Sequence, residues 1–272
     1  MAISSAKSIK NRIKSIENTM QITRAMELVS SSKLQKAKIH AENTSAVRSI
    51  LTDALHQAGK DYGSGGSVFF TKNSAVKNIY IVISGDRGLA GGFNNNLFRT
   101  VSKHSDKSEV MVIPIGKKAA EHYKSGKYSS AGGFSNKKCR KIATEVKEIF
   151  ASGEIGSIYI AYNAFTSAFV QEPVIERLLP LEESEKKKEL TIYEPSAEEV
   201  IDNTILWYLS TYIYCSVCES IAAEHAARRN AMNAANKNGT EMIENMRLEY
   251  NRARQSVITQ ELNEIVAGAD AL

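Results

Sequence analysis

The sequence predicts an α/β fold in which two long terminal helices pair as an antiparallel coiled coil around a central α/β module. Three observations carry that reading. All four prolines of the 272 residues, Pro114, Pro173, Pro180 and Pro195, lie in the middle of the chain, so helix breakers are confined there. Both ends carry apolar residues at heptad spacing. The segment between them alternates β-rich runs with amphipathic stretches.

From Ser4 to about Ala58 there is neither proline nor glycine, so the backbone can continue as a rod on the order of 80 Å at roughly 1.5 Å per residue. Ile9, Ile13, Ile16 and Met20 recur at the 4, 3, 4 spacing of a heptad seam. Beyond them Thr23, Glu27 and Ser30 occupy the next seam positions, while Ile22, Met26 and Val29 form a stripe displaced by one residue. That displacement predicts a break in register. Gly63 to Ser67, GSGGS, reads as a flexible hinge leaving the helix.

In the middle, Asn78–Ser84 (NIYIVIS), Glu109–Ile115 (EVMVIPI) and Ser157–Phe165 (SIYIAYNAF) read as strands. Asn94 to about Lys103, Lys117–Lys124 and Ser135–Phe150 read as the helices between them, which together make βαβ units and a partly parallel sheet. Phe169–Leu179 and Leu190–Glu194 supply one or two further strands, and Glu182–Glu189, EESEKKKE, an exposed charged loop.

The second long helix spans Ala197 to Leu272, interrupted by no proline and by only Gly239 and Gly268. Its stripe runs Ile243, Met246, Tyr250, Ala253, Val257, then shifts by one to Ile258, Leu262, Ile265, Ala269 and Leu272. The organisation is therefore an N-terminal helix over residues 1–60, a central domain over 61–196 and a C-terminal helix over 197–272. Residues 1–60 hold ten Lys/Arg against four Asp/Glu, net +6, and residues 197–272 six against eleven, net −5. Opposite signs on the two arms favour their antiparallel pairing, although exposed ion pairs contribute only about 0–1 kcal/mol each.

Several functional classes lose support. MAISSAKSIK lacks the apolar stretch of a secretory signal, and Thr204–Cys218, the best membrane candidate, falls short of the roughly 20 apolar residues a span needs. The expectation is a soluble, cytoplasmic chain. Cys139, Cys215 and Cys218 form no disulfide framework, and the CxxC pair sits in a helical pattern without the second pair or histidines a metal site needs. The histidines are scattered, with no HExxH and no GxSxG turn, so no catalytic residue can be named. SGDRGLAGGFN, Ser84–Asn94, follows a strand and precedes a helix as phosphate-binding turns do, yet matches neither GxGxxG nor GxxxxGK[ST]. Its glycines also suit a tight strand-to-helix turn.

Three separated motifs, IKNRIKSIENTMQITRAMELVSSSKLQKA (Ile9–Ala37), DRGLAGGFN (Asp86–Asn94) and YNRARQSVITQELNEIVAGA (Tyr250–Ala269), resemble the γ subunit of F-type ATP synthases over essentially the whole length. In that family the terminal helices wrap into an antiparallel left-handed coil that rotates inside a ring of α and β subunits. A central Rossmann-like domain contacts the ε subunit and the c-subunit ring. The resemblance implies a non-catalytic rotor shaft with no cofactor or metal of its own, peripheral on the cytoplasmic face of a bacterial cell membrane. Its implied partners are the α, β, ε and c subunits.

By the same resemblance, Met26 matches a position beside the β subunits where an uncharged side chain permits efficient coupling. Arg228 in EHAARR, with Arg254, Gln255 and Thr259 in RARQSVITQEL, matches positions implicated in contacts with β-subunit loops and in assembly. Asp86, Arg87, Gly88, Gly91 and Gly92 form the structural turn, and EIVAGADAL would sit in an apolar sleeve. The structural alternative for the arm residues is that they only hold the coil together. Ala90 stands where the family commonly has Cys, Arg229 where Met is usual, and Asn236-Lys237-Asn238 replaces Thr-Asp-Asn. Two other classes stay open: a nucleotide-dependent enzyme using the Gly85–Gly92 turn, and a basic-helix nucleic-acid binder with salt-sensitive affinity.

Overall fold

Freedom from proline lets each arm persist as a single helix: α1 spans Ala2–Tyr62 and α5 spans Ala197–Asp270, with Gly239 inside α5 and not ending it. Between them the computed structural model has β1 (Lys77–Ile83), α2 (Phe93–His104), β2 (Glu109–Ile115), α3 (Lys117–His122), α4 (Asn136–Ala151), β3 (Ser157–Phe165) and β4 (Gln171–Leu179). The structure describes residues 2–62, 67–71, 73–105, 109–125, 134–181, 193–194 and 196–270. The chain divides into two compact units, one of residues 1–30 with 229–272 and one of residues 31–228.

In the second unit the sheet order is β2-β1-β3-β4; β1 pairs in parallel with β2 and β3, and β3 pairs antiparallel with β4. The apolar run of β1 is continuous because both faces are covered, as parallel strands flanked by helices require. Successive side chains point to opposite faces. Ile79, Ile81 and Ile83 therefore join Leu55 of α1, Val146 and Phe150 of α4, and Ile205, Leu209 and Ile213 of α5. Tyr80 and Val82 meet Leu97, Phe98 and Val101 of α2 and Ala119 of α3.

A polar cluster joins α1, α5 and the antiparallel edge. Arg48 Nη1 donates to Tyr162 Oη (3.3 Å), lies 3.5 Å from Glu219 Oε2, and its guanidinium sits over the Tyr212 ring. Tyr162 and Tyr212 both donate to Glu176 Oε2, at 3.1 and 2.9 Å. Burial pushes both phenols above their ordinary range, so they remain donors.

The apolar run Thr204–Cys218 is core, with Ile205, Tyr208, Leu209, Ile213 and Val217 buried against the sheet. No described helix is long and apolar enough to cross a membrane. Of the segments that predict one or two further strands, Phe169–Leu179 supplies β4. Tyr193 and Glu194 lie outside any strand, and residues 190–192 fall outside the described residues. Residues 63–66 of the GSGGS hinge and the whole EESEKKKE loop also fall outside them.

Gly116 joins β2 to α3 at φ +97°, where an added Cβ would stand 2.1 Å from the Ser84 carbonyl oxygen. Gly153 has φ +80° but open space around it. Gly116→Ala is expected to lose at least about 2 kcal/mol in denaturant unfolding, whereas Gly153→Ala loses only the backbone strain of about 1–2 kcal/mol. Equal losses at the two positions would show that close approach to Ser84 contributes nothing.

Candidate functional site

The glycine turn is built around satisfying the start of α3. Lys117 N–H donates to Asp86 Oδ1 (3.0 Å), Lys118 N–H to the Gly85 carbonyl (3.1 Å) and Ala119 N–H to Ser84 Oγ (2.7 Å). Three first-turn donors that a helix leaves unpaired are thereby met by consecutive residues of one loop. Asn94 Oδ1 accepts from Gly85 N–H (3.0 Å), tying the other end of the turn to α2. Gly91 takes φ +58°, a left-handed conformation that favours glycine, and Gly92 is the N-cap of α2.

The same turn is clasped from α5. Arg228 is 6% exposed; its Nε donates to the Gly88 carbonyl (3.3 Å) and its Nη2 pairs with Glu224 Oε1. Glu224 lies against Gly85, where a Cβ would come within 2.8 Å of its carboxyl carbon. Burial pushes the Glu224 carboxyl up, against the opposing pull of Arg228. The backbone approach that a phosphate would need at this turn is thus occupied by a carboxylate, which counts against the nucleotide reading. Alanines of α5 allow the approach: Ala223 packs with Ala90 and Phe93, and Ala222 and Ala226 pack with Leu34 of α1.

His225, next to this pair, is pushed down to about 4 by burial, then by Arg228 and Lys33. The thiols move the other way. Burial raises Cys139 to about 12 and raises Cys215 and Cys218, and Cys215 Sγ donates to the Thr44 carbonyl. Thiols kept protonated are poor nucleophiles.

In the first unit α1 and α5 run antiparallel, with Met20 against Gly239, Thr23 against Asn236, and Glu27 against Asn233 and Asn236. Thr23 donates to Asn236 Oδ1, while the Asn233 and Asn236 amides donate to the two oxygens of Glu27 at 3.0 and 2.9 Å. The expected register break does not occur. The covered stripe continues through Thr23, Glu27 and buried Ser30, and the displaced apolar residues Ile22 (62%) and Val29 (55%) are exposed. Thr23 and Glu27 keep seam positions with partners on α5 that complete their hydrogen bonds. Counting outward from Met20–Gly239, the start of α1 falls opposite Val257. Beyond it Ile258, Leu262, Ile265 and Val266 are exposed, which gives the one-residue shift there no pairing role within this coil.

The structure thus brings Arg228 together with Asp86, Gly88 and Gly92 in one unit, and places Met26, Arg254, Gln255 and Thr259 in the other. Met26 is half-buried; Arg254, Gln255 and Thr259 are exposed, with Thr259 Oγ1 donating back to the Gln255 carbonyl at 2.9 Å. Sequence reasoning missed Glu224, although its i,i+4 spacing from Arg228 was a readable signal. It also missed that Asn236 is the centre of the polar seam.

Residues 5–272 match the sequence family described as ATP synthase. The chain is 41% identical to the ATP synthase gamma chain of Ruminococcus albus, over 95% of this chain and 96% of that one. It is 37% identical to the sodium ion specific ATP synthase gamma chain of Acetobacterium woodii, over 97% of each. Among solved structures, a chain of the Euglena gracilis mitochondrial ATP synthase superposes with a TM-score of 0.70 at 18% identity, covering 98% of this chain and 94% of that one. At that identity the likeness concerns the fold.

Removing Arg228 leaves the buried Glu224 carboxylate without its partner. Arg228→Ala is therefore expected to cost about 3–5 kcal/mol near neutral pH, with Glu224→Gln in the same chain recovering part of it; no recovery would show that the pair is not the cause. His225 resists protonation in the folded chain, so its stabilising contribution is complete above about pH 6.5 and is lost as pH falls toward 4. With its solvent-facing part discounted, the loss is on the order of 1–2 kcal/mol. His225→Gln should flatten the unfolding free energy across that window by this amount, and an unchanged pH profile would refute the assignment.

Proposed function

The chain belongs to the ATP synthase gamma-chain family, and we infer that it is the central-stalk shaft coupling ion-driven rotation of a membrane rotor to ATP synthesis and hydrolysis. The observation that carries this reading is the antiparallel seam of α1 and α5, an asymmetric coil formed by the two ends of one chain. Residues on different sides of such a coil differ in charge and size. A turning shaft of this kind makes unequal contacts with successive catalytic subunits, and unequal contacts are what shift their nucleotide affinities.

The chain itself is non-catalytic in this proposal, and chemistry belongs to the ring of α and β subunits around the helices of residues 1–60 and 197–272. The central domain, residues 61–196, faces the ε subunit and the c ring, and the complex holds the chain peripherally on the cytoplasmic face of the membrane. Met26, Arg254, Gln255 and Thr259 meet the ring directly; the exposed Arg and Gln carry donors suited to carboxylates and carbonyls on a passing surface. Arg228 acts from behind, by holding the Asp86–Gly92 turn in place. Buried as it is, it presents no free guanidinium to a partner.

Reconstitution with cognate α and β subunits tests the reading. A stable complex whose ATP hydrolysis depends on this chain is expected, and failure to assemble would sink it. Within the full complex, Met26→Lys places a cation at the ring-facing position and is expected to lower ion pumping per ATP hydrolysed, by several fold if the new contact is worth about 1 kcal/mol. Unchanged pumping per ATP would remove Met26 from the coupling surface.

A further inference from the structure

Away from the turn and the paired helices, α1, α4 and α5 border a half-open cavity of about 530 Å3. That lies within the roughly 300–1,000 Å3 of small-molecule sites. Val47 of α1 and Trp207, Thr211 and Tyr214 of α5 form much of its wall, and α4 contributes Lys137 and Arg140. Trp207 is the sole tryptophan of the chain and is 59% exposed, an unusual position for so large an apolar surface. The guanidinium of Arg140 lies over its ring, 5.5 Å from the centroid.

The charge of the lining has one sign. Lys137 and Arg140 are its charged residues, and no carboxylate lines the cavity among the described residues. A cation stacked on an indole beside a second cation is poised to receive an anion whose body extends along the aromatic wall. A cationic ligand would meet like charge, and an uncharged one would leave both cations unused.

We propose that the cavity binds a small amphipathic organic anion, a flat or aliphatic apolar body carrying one carboxylate or sulfonate. The body lies against Trp207, Val47 and Tyr214, and the anionic group bonds to Arg140 and Lys137. Because the walls come from three helices, an occupant would tie α4 to both long helices and stabilise the unit by linkage. The inference is independent of the rotary reading.

The sole tryptophan makes the site directly readable in the purified full chain. The probe is 8-anilinonaphthalene-1-sulfonate, and its control is N-phenyl-1-naphthylamine, the same body without the charge. Saturable one-to-one quenching of Trp207 emission is expected with the sulfonate, together with a rise in melting temperature. The neutral probe should bind about tenfold more weakly. The double variant Lys137→Gln/Arg140→Gln, at two exposed positions, should weaken the sulfonate about tenfold and leave the neutral probe unchanged. Thr211→Phe, which fills the cavity, should abolish both. Equal affinity for the two probes, absence of saturable quenching, or an unaltered affinity in the double variant would each overturn the proposal. Should Thr211→Phe fail to fold, as read by circular dichroism, the surface double variant decides.

Discussion

The seam of the first unit turns on the hydrogen bonds that Asn236 makes across it. Thr23 and Glu27 are half-buried at seam positions, and the opposite helix supplies hydrogen-bond partners to both, which offsets the cost of covering polar groups. Asn236 accepts from Thr23 and donates to Glu27, and Asn233 meets the other carboxylate oxygen. Sliding the helices by one heptad would separate Thr23 and Glu27 from both asparagines. A polar residue at a seam position gives up stability and gains register. Gly239 acts in the same sense by shape, leaving the space that the Met20 side chain fills.

The second unit solves a different problem with the same two helices. There α1 and α5 stay in contact through Leu34, Ala222 and Ala226 and also cover a sheet face, so their apolar surface widens to include Leu55, Ile205, Leu209 and Ile213. Where α5 passes the glycine turn, its side chains shrink to alanine, and one guanidinium and one carboxylate replace bulk with directional bonds. The turn is held from both sides, by the α3 N-terminus and by Arg228. Gly85 serves close approach to the backbone, as a nucleotide site's glycine would, but what approaches is Glu224 of the chain's own α5.

Much of this was legible in the order of residues. β1, β2 and β3 stand out because β-branched runs end at Gly or polar turns, and their bounds fall within a residue of the expected ones. The helices between them were equally plain from amphipathic spacing. The seam near Thr23–Ser30 was misread because periodicity counts apolar residues, and a stripe of Ile22, Met26 and Val29 looks like a seam whether or not anything covers it. Arg228 was found as a candidate, but its burial was not foreseeable, because i,i+4 spacing to Glu224 is as common on solvated helix faces as in cores. The cavity beside Trp207 left no trace in any one segment, since its walls come from residues near positions 47, 140 and 210.

The amino-acid order alone determined the element types, the persistence of two proline-free helices, the mixed parallel sheet and the family, because those rest on local backbone preference, on period and on linear motifs. Only the tertiary structure decided which of two competing stripes is the seam, which polar groups are satisfied and which cation is buried. Those outcomes depend on what stands opposite each side chain. A polar residue's free energy changes sign with the presence of a partner, and partners more than 200 residues apart, such as Thr23 and Asn236, are chosen by packing and not by sequence neighbourhood.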